Sequence, residues 1–262
     1  MTSIGLIIST YEWPEALDLV LSSVARQSHR PTEVIVADDG SGAATAAVVK
    51  KWSERAPFRI MHAWQEDRGF RLSRARNLAI RQSTADYLII LDGDEVLHRH
   101  FVRDHLRALR PGQVLRGSRA VLSAERSAEA LATGRVPRWW EKGVSKRAAA
   151  LRLPLLSLLL RNWRARGTEG FYLACWRDDA IRVNGFEERF EGWGGEDAEF
   201  VMRLRHAGVE KKRLRFSAVM YHLDHPKASR EQTSRNHAIY EETVATRRVT
   251  AVQGLAELVA TA

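Results

Sequence analysis

Short apolar runs alternate with amphipathic stretches through the first hundred residues. Residues 4–8, 33–37, 58–64 and 87–91 are mostly apolar and end in polar turns, the pattern of buried strands. Between them, residues 14–27, 43–52 and 73–83 predict helices. Pro14 opens the first helix, and Leu17, Val20, Leu21 and Val24 share one of its faces. Strands alternating with helices predict an α/β fold, with a Rossmann-like, mostly parallel central sheet flanked by helices.

Beyond residue 95 the pattern loosens. A helix is expected over 100–109 and a strand within 112–121. Over 124–166 the composition shifts from Ala and Glu, through Pro137, Arg138, Trp139 and Trp140, to a stretch rich in Arg and Leu. Order returns at 170–176, followed by a short helix over 178–184. The glycine-rich residues 190–195 then feed a helix over 196–207 that keeps Phe200, Val201 and Leu204 inward and stops at Gly208. A strand over 214–220 leads to Tyr221, His222 and His225, and from about residue 230 the chain reads as helical and mostly polar. No internal repeat is visible. The 262 residues suffice for one large domain or two small ones, and are read as one.

Composition adds limits. An apolar fraction of 45% and a charged fraction of 28% are ordinary for a folded protein. The net charge of +9, mostly from arginine, suits polyanions such as nucleic acid, sugar nucleotides or an anionic membrane surface. Cys175 is the only cysteine, so no internal disulfide forms and a reducing, cytoplasmic setting is expected. The N-terminus lacks the basic region and cleavage site of a signal peptide. No apolar stretch is long enough to cross a bilayer; residues 151–160 come nearest, and Arg152 interrupts them.

The candidate chemistry gathers at strand ends, where open α/β sheets bind ligands. Asp92 and Asp94 flank Gly93, which permits a tight turn and close ligand approach. Two converging carboxylates call for a positive group between them, and a divalent cation bridging to a diphosphate meets that need. A plain acidic turn is the ordinary alternative. Ser9, Thr10 and Tyr11 end one strand and Asp38 and Asp39 another, so one edge of the sheet would hold sites for a base, a ribose and a metal-bound diphosphate. Arg71 and Arg76 are candidates to face the phosphates, against the common fate of a solvated helix face.

A second cluster is Gly192-Trp193-Gly194-Gly195-Glu196-Asp197. Acidic residues favour a helix N-terminus by themselves. Trp193 between glycines is unusual for a cap; its flat face suits a sugar ring, and a carboxylate beside it is placed to take a proton from an acceptor hydroxyl. His222 is a third metal ligand candidate beside Asp92 and Asp94, while the spacing to His225 lets only one of the two histidines join easily. An imidazole donor tilts the choice from Mg2+ toward Mn2+.

The runs Ile7-Ile8-Ser9-Thr10-Tyr11-Glu12, Val36-Ala37-Asp38-Asp39-Gly40-Ser41, Ala75-Arg76-Asn77 and Leu91-Asp92-Gly93-Asp94 together resemble the family 2 glycosyltransferases with the GT-A fold, over about residues 4–225. The run from Gly192 to Asp197 is similar to the Gly-Trp-Gly-x-Glu-Asp motif of β-1,4-galactosyltransferases and bacterial chondroitin polymerase domains. The resemblance implies inverting transfer from a nucleotide-diphosphate sugar, usually UDP-linked, with a divalent metal, Mn2+ or Mg2+. It implies that Asp39 pairs with the base, that Asp92 and Asp94 flank ribose and metal, that Asp197 is the general base and that Glu196 helps hold the acceptor. Arg71, Arg76, Asn77, Gly93 and Trp193 join the expected donor-side set. The halves would be 1–123 for the nucleotide sugar and 167–229 for acceptor and catalysis, with 124–166 a variable segment and 230–262 a helical tail. One departure is Glu95 followed by Val96, Leu97 and His98, where the family often has a small or polar residue and then proline.

The expected partners are a nucleotide sugar and a saccharide or glycolipid acceptor, such as a lipopolysaccharide core or capsule precursor. Residues 137–166 read either as a core helix with a basic flank or as a segment lying on the anionic cytoplasmic face of a membrane, with Trp139, Trp140 and Trp163 among eight cations. Arginine excess and eight tryptophans would also suit a nucleic-acid-binding protein, but the basic residues are spread out and the strand ends are acidic where phosphates would approach, so nucleic acid is not expected as a partner. A glycan-binding scaffold without catalysis is the third alternative.

Overall fold

The computed structural model describes residues 2–136, 138–159, 172–226 and 229–258. The first ninety residues follow the apolar pattern closely. β1 (Ile4–Thr10), α1 (Pro14–Ala25), β2 (Glu33–Asp38), α2 (Ala43–Arg55), β3 (Arg59–Trp64), α3 (Leu72–Gln82) and β4 (Tyr87–Asp92) alternate as expected. The remaining elements are β5 (Glu95–Leu97), α4 (Phe101–Ala108), β6 (Gln113–Arg116), β7 (Ala120–Leu122), α5 (Ala124–Thr133), β8 (Val144–Ser145), α6 (Pro154–Leu159), β9 (Leu173–Trp176), α7 (Arg177–Arg182), α8 (Glu196–His206), β10 (Glu210–Arg213), β11 (Met220–His222) and α9 (Thr233–Thr246).

The larger sheet has seven strands in the order β10-β6-β9-β4-β1-β2-β3. Its β1–β2, β1–β4, β2–β3 and β6–β10 pairs are parallel, while β9 runs antiparallel to both β4 and β6. Alternation along each strand feeds two cores. Leu6, Ile8, Ile89 and Leu91 join one apolar cluster with Leu17, Val20 and Phe101 of α1 and α4. Ile7, Leu88 and Ile90 join the other, with Ala75, Ala79 and Ile80 of α3 and Phe200 and Leu204 of α8. A second sheet, β5-β11-β7-β8, contributes Val96, Leu122, Val144 and Met220 to the first of these clusters, so one apolar mass spans both sheets.

The chain departs from expectation at 214–220. In place of one strand there are two short ones, β10 and β11, joined by turns in which Phe216 and Ala218 take φ of 54° and 48°. Leu214, Ala218 and Val219 are buried, which mimics a strand pattern, but between Leu214 and Val219 the backbone leaves the sheets. The Ala218 N–H donates to Asp104 (3.1 Å) and the Phe216 carbonyl accepts from the Leu153 N–H (2.9 Å). Among the described residues after 124, helices and a short strand form. α5 is capped by Ser123, whose hydroxyl accepts from the Arg126 N–H, and ends at Gly134 with φ 69°. Pro137, Leu160, Arg161, Trp163, Arg164 and Arg166 lie outside the described residues.

Candidate active site

Register brings the strand ends level: Ser9 of β1 lies opposite Asp92 of β4, and Thr10 opposite Asp38 of β2. Gly93 then turns the chain where no other residue fits, since a Cβ there would stand 2.6 Å from the Ser9 carbonyl oxygen. A polar rim follows across three strand ends.

The two aspartates ending β2 have different surroundings. Asp38 is fully buried; it accepts from the Ser41 N–H at 2.8 Å and pairs with His62 at 2.7 Å. Burial pushes its carboxyl up, but His62 and Ser41 outweigh that and hold it below the usual range. Asp38 therefore braces the turn and does not face the cleft, a correction to its expected donor-side role. Asp39 accepts from Gln65 at 2.5 Å and from the Arg71 N–H at 2.7 Å, and burial raises its carboxyl against those contacts. Tyr11 is 54% exposed beside it, its hydroxyl donating to Asp67 at 3.1 Å. The Arg71 guanidinium folds back onto the Glu66 carbonyl.

Asn77 is also corrected. It is fully buried and spends its amide on the Phe186 backbone, donating to the carbonyl at 2.8 Å and accepting from the N–H at 2.7 Å. A buried amide needs such partners, and here they fasten the 184–188 turn to α3 beneath the site. Arg74 pairs with Glu188 at 3.2 Å.

Arg76 sits at the centre, only 3% exposed. Its Nε donates to the Ser9 hydroxyl (3.1 Å), one terminal nitrogen to Asp92 (3.0 Å), and the other to Asp197 (2.9 Å) and Glu196 (3.4 Å). The Phe186 ring lies 5.2 Å from the guanidinium carbon. Arg76 thus meets carboxylates rather than standing open to phosphates.

Asp92 and Asp94 are split by their neighbours. The desolvating walls of the cleft, with Asp94 and Asp197 nearby, push Asp92 up to about 7 against the pull of Arg76. Asp94 is held well below the usual range: burial works against ionisation, but His222 and His225 outweigh it. Its Oδ2 lies 3.4 Å from His222 Nδ1 and 3.0 Å from His225 Nε2. His222 rises to about 9, since Asp94 and Glu95 overcome the cost of its burial. β11 runs antiparallel to β5 with His222 opposite Glu95, which is how a histidine from late in the chain reaches the end of β4. The fully buried Glu95 pairs with Arg119.

These residues fit a divalent cation. Ligand atoms of Asp94, His222 and His225 lie within 4.8 Å of one another, as do those of Asp92, Asp94 and Glu95. Asp94 Oδ1 is buried with no hydrogen-bond partner, an orphan that a cation would satisfy. His225 joins the cluster although its spacing had set it aside, because the chain after β11 brings the two imidazoles to 5.0 Å.

Across the cleft, Gly192, Gly194 and Gly195 all take positive φ, and a Cβ on Gly195 would stand 2.9 Å from Phe190. This loop delivers Glu196 and Asp197 to the first turn of α8. Burial and the neighbouring Asp197 raise the Glu196 carboxyl. Asp197 faces Arg76 on one oxygen and Arg116, at 3.6 Å, on the other. Arg116, at the end of a four-residue strand, carried no sequence signal that set it apart from other arginines. Trp193 is 44% exposed, with the Arg230 guanidinium 5.0 Å from its ring. α9 braces the loop from behind. Asn236 donates to the carbonyls of Glu191 (3.1 Å) and Gly194 (3.0 Å), and Thr243 donates to Glu199 (2.9 Å), itself in a fully buried pair with Arg203.

Known proteins resemble this chain in sequence and fold. Residues 6–156 match the family model of glycosyl transferase family 2, and residues 159–226 match that described as the N-terminal domain of galactosyltransferase. A validoxylamine A glucosyltransferase from Streptomyces hygroscopicus subsp. limoneus is 31% identical over 225 residues, covering 79% of this chain and 48% of that protein. Chondroitin synthase of Pasteurella multocida is 29% identical over 231 residues, covering 77% of this chain and 23% of the synthase. The chain therefore spans about half or less of the length of these relatives. Among solved structures, S. aureus TarS 1-349 in complex with UDP superposes with a TM-score of 0.64 at 19% identity, over 97% of this chain and 68% of that one. The mannosyltransferase PcManGT from Pyrobaculum calidifontis, in complex with GDP-Man and Mn2+, gives 0.61 at 20% identity, over 95% and 66%. These likenesses give the GT-A fold. Since the family model runs through every strand end that frames the cleft up to Asp94, the chain belongs to glycosyl transferase family 2.

Proposed function

We propose that the protein transfers a sugar from a nucleotide-diphosphate sugar, UDP-linked, to a saccharide hydroxyl in one inverting displacement. The observation that carries this reading is the convergence of two acidic pairs on one cleft, Asp92 at the end of β4 with Asp94 in the turn beyond it, and Glu196 and Asp197 from α8. Asp39 and Tyr11 receive the base, and Asp92 faces the ribose. Asp94, His222 and His225 would hold a divalent cation, which neutralises charge on the leaving diphosphate. An imidazole-containing set favours Mn2+ over Mg2+. Trp193 offers a stacking face to the acceptor, and Glu196 helps orient it. Asp197 takes the acceptor proton as the new bond to the anomeric carbon forms and the bond to the diphosphate oxygen breaks. Attack from the face opposite the leaving group inverts the anomeric centre.

The similarity to chondroitin synthase supports a role in building a surface glycan, with a lipopolysaccharide or capsule precursor as acceptor. Among the described residues no helix is long and apolar enough to cross a membrane. Peripheral contact with an anionic cytoplasmic membrane face would use the exposed Trp139, Trp140, Leu153 and Leu155. Two nearby cations are already engaged, Arg135 with Glu129 and Glu141 and Arg152 with Asp104, so apolar insertion carries more of this contact than charge. Co-sedimentation that drops for Trp140→Ala and Leu155→Ala supports it; equal failure to bind neutral and anionic vesicles removes it.

The test of the main reading is turnover of a UDP-sugar panel with saccharide acceptors and Mn2+ or Mg2+, with the product anomer read by NMR. Asp197→Asn should lower kcat by on the order of 100-fold or more while UDP binding holds. A retained anomeric configuration, or full activity in Asp197→Asn, overturns it.

A further inference from the structure

Arg76 occupies a place that a simple donor ligand would not. It is nearly sealed from solvent, yet it touches the ends of three separate elements: Ser9 at the end of β1, Asp92 at the end of β4, and Glu196 and Asp197 at the start of α8. Four of its contacts use all three nitrogens, which suits the planar fork of arginine and not the point charge of lysine. Asp92 belongs to the donor side of the cleft and Asp197 to the acceptor side. Both keep an open flank, with side chains 40% and 26% exposed, so each can meet a ligand while Arg76 holds it from behind. Phe186 backs the guanidinium at 5.2 Å and Asn77, next in α3, pins Phe186, so the arginine is itself held.

We propose that Arg76 is a positioning residue that couples the two sides of the site, fixing Asp197 toward the acceptor by the same guanidinium that Asp92 and Ser9 anchor. This rests on the proposed transferase reading. It departs from a phosphate-binding role, because the nitrogens that would meet a diphosphate are spent on carboxylates. Misplacing Asp197 by a fraction of an ångström then costs rate and not donor affinity.

Arg76→Lys keeps the charge and loses the fork. We expect kcat for transfer to fall about 100-fold, with the UDP dissociation constant by calorimetry and the donor KM within threefold of wild type. UDP affinity falling in step with kcat makes Arg76 a donor ligand and overturns the proposal, as does an unchanged kcat. Should Arg76→Lys fail to fold, Ser9→Ala removes only the Nε anchor. It should lower kcat about fivefold at constant UDP affinity, and either no change in kcat or a matching loss of UDP affinity refutes the coupling. Wild-type protein that binds no nucleotide and transfers no sugar defeats the transferase reading itself; wild-type turnover with unaffected variants defeats this inference alone.

Discussion

The parallel half of the seven-stranded sheet is made of strands of six or seven residues, whereas the four-stranded sheet joins strands of two or three residues drawn from four distant parts of the chain. The first lays Ser9, Asp39 and Asp92 along one rim because its strands are parallel and in register. The second adds little sheet but carries His222 to Asp94. A long parallel register supplies stability and a level edge; a short mixed one is enough to deliver a side chain. The contrast assigns stability mostly to one sheet and the metal-side chemistry to the junction of both.

The largest expected effect tests that junction. Asp94→Asn should reduce UDP-sugar turnover by on the order of 1,000-fold or more and lower the melting temperature as well, because the carboxylate also holds His222 and His225. Steady-state UDP release and thermal melts measure both, and full turnover would break the assignment. Next comes a stability contrast. Ile89→Ala, at a fully buried position of β4, should cost about 3 kcal/mol in urea denaturation, while Val121→Ala, on a half-buried position of β7, should cost about 1 kcal/mol. Equal losses would mean that the small sheet shares the load.

His222→Ala sharpens the comparison further. Even residues behind a metal ligand change affinity by roughly tenfold or more, so loss of the imidazole should weaken Mn2+ binding by at least about that factor in calorimetry. His225→Ala should act in the same direction and less strongly, since its side chain is 35% exposed against 12% for His222. The smallest effect lies on α4, against the large sheet. His105 is fully buried against Phe101 and Tyr172, and burial holds it down at about 3 instead of 6.5. Between those values the unfolded chain binds more protons, so stability falls as pH drops below 6.5 and is unaffected by this group above it. His105→Phe should recover about 1 kcal/mol at pH 6, read from urea midpoints across pH 5–8. A variant with the same acid sensitivity as wild type would place that sensitivity in other groups.

The sequence was most legible where one local signal sufficed. Continuous apolar runs marked β1, β2 and β4, and the polar residues ending them marked the cleft. It was least legible where placement depends on distant pairing. β8 has two residues and β5, β7 and β11 three each, too few for a period to show. The apparent strand at 214–220 failed because burial of Leu214, Ala218 and Val219 looks alike in a strand and in a tucked turn. Asp38 and Asn77 stand inside recognisable motifs yet serve the scaffold, as only their partners His62 and Phe186 disclose. Arg116 and His225 enter the site through contacts with Asp197 and Asp94 that no spacing rule anticipates.

The brace between α8 and α9 has a temporal side as well. A ribosome delivers residues 233–246 after every side chain of the proposed chemistry has been made. Until then Glu199 lacks Thr243, and the carbonyls of Glu191 and Gly194 lack Asn236. At roughly 5–20 residues per second, the end of α9 follows the last of the cleft side chains, His225, by on the order of seconds. On the proposed reading, competence waits for a helix that contributes none of the chemistry itself.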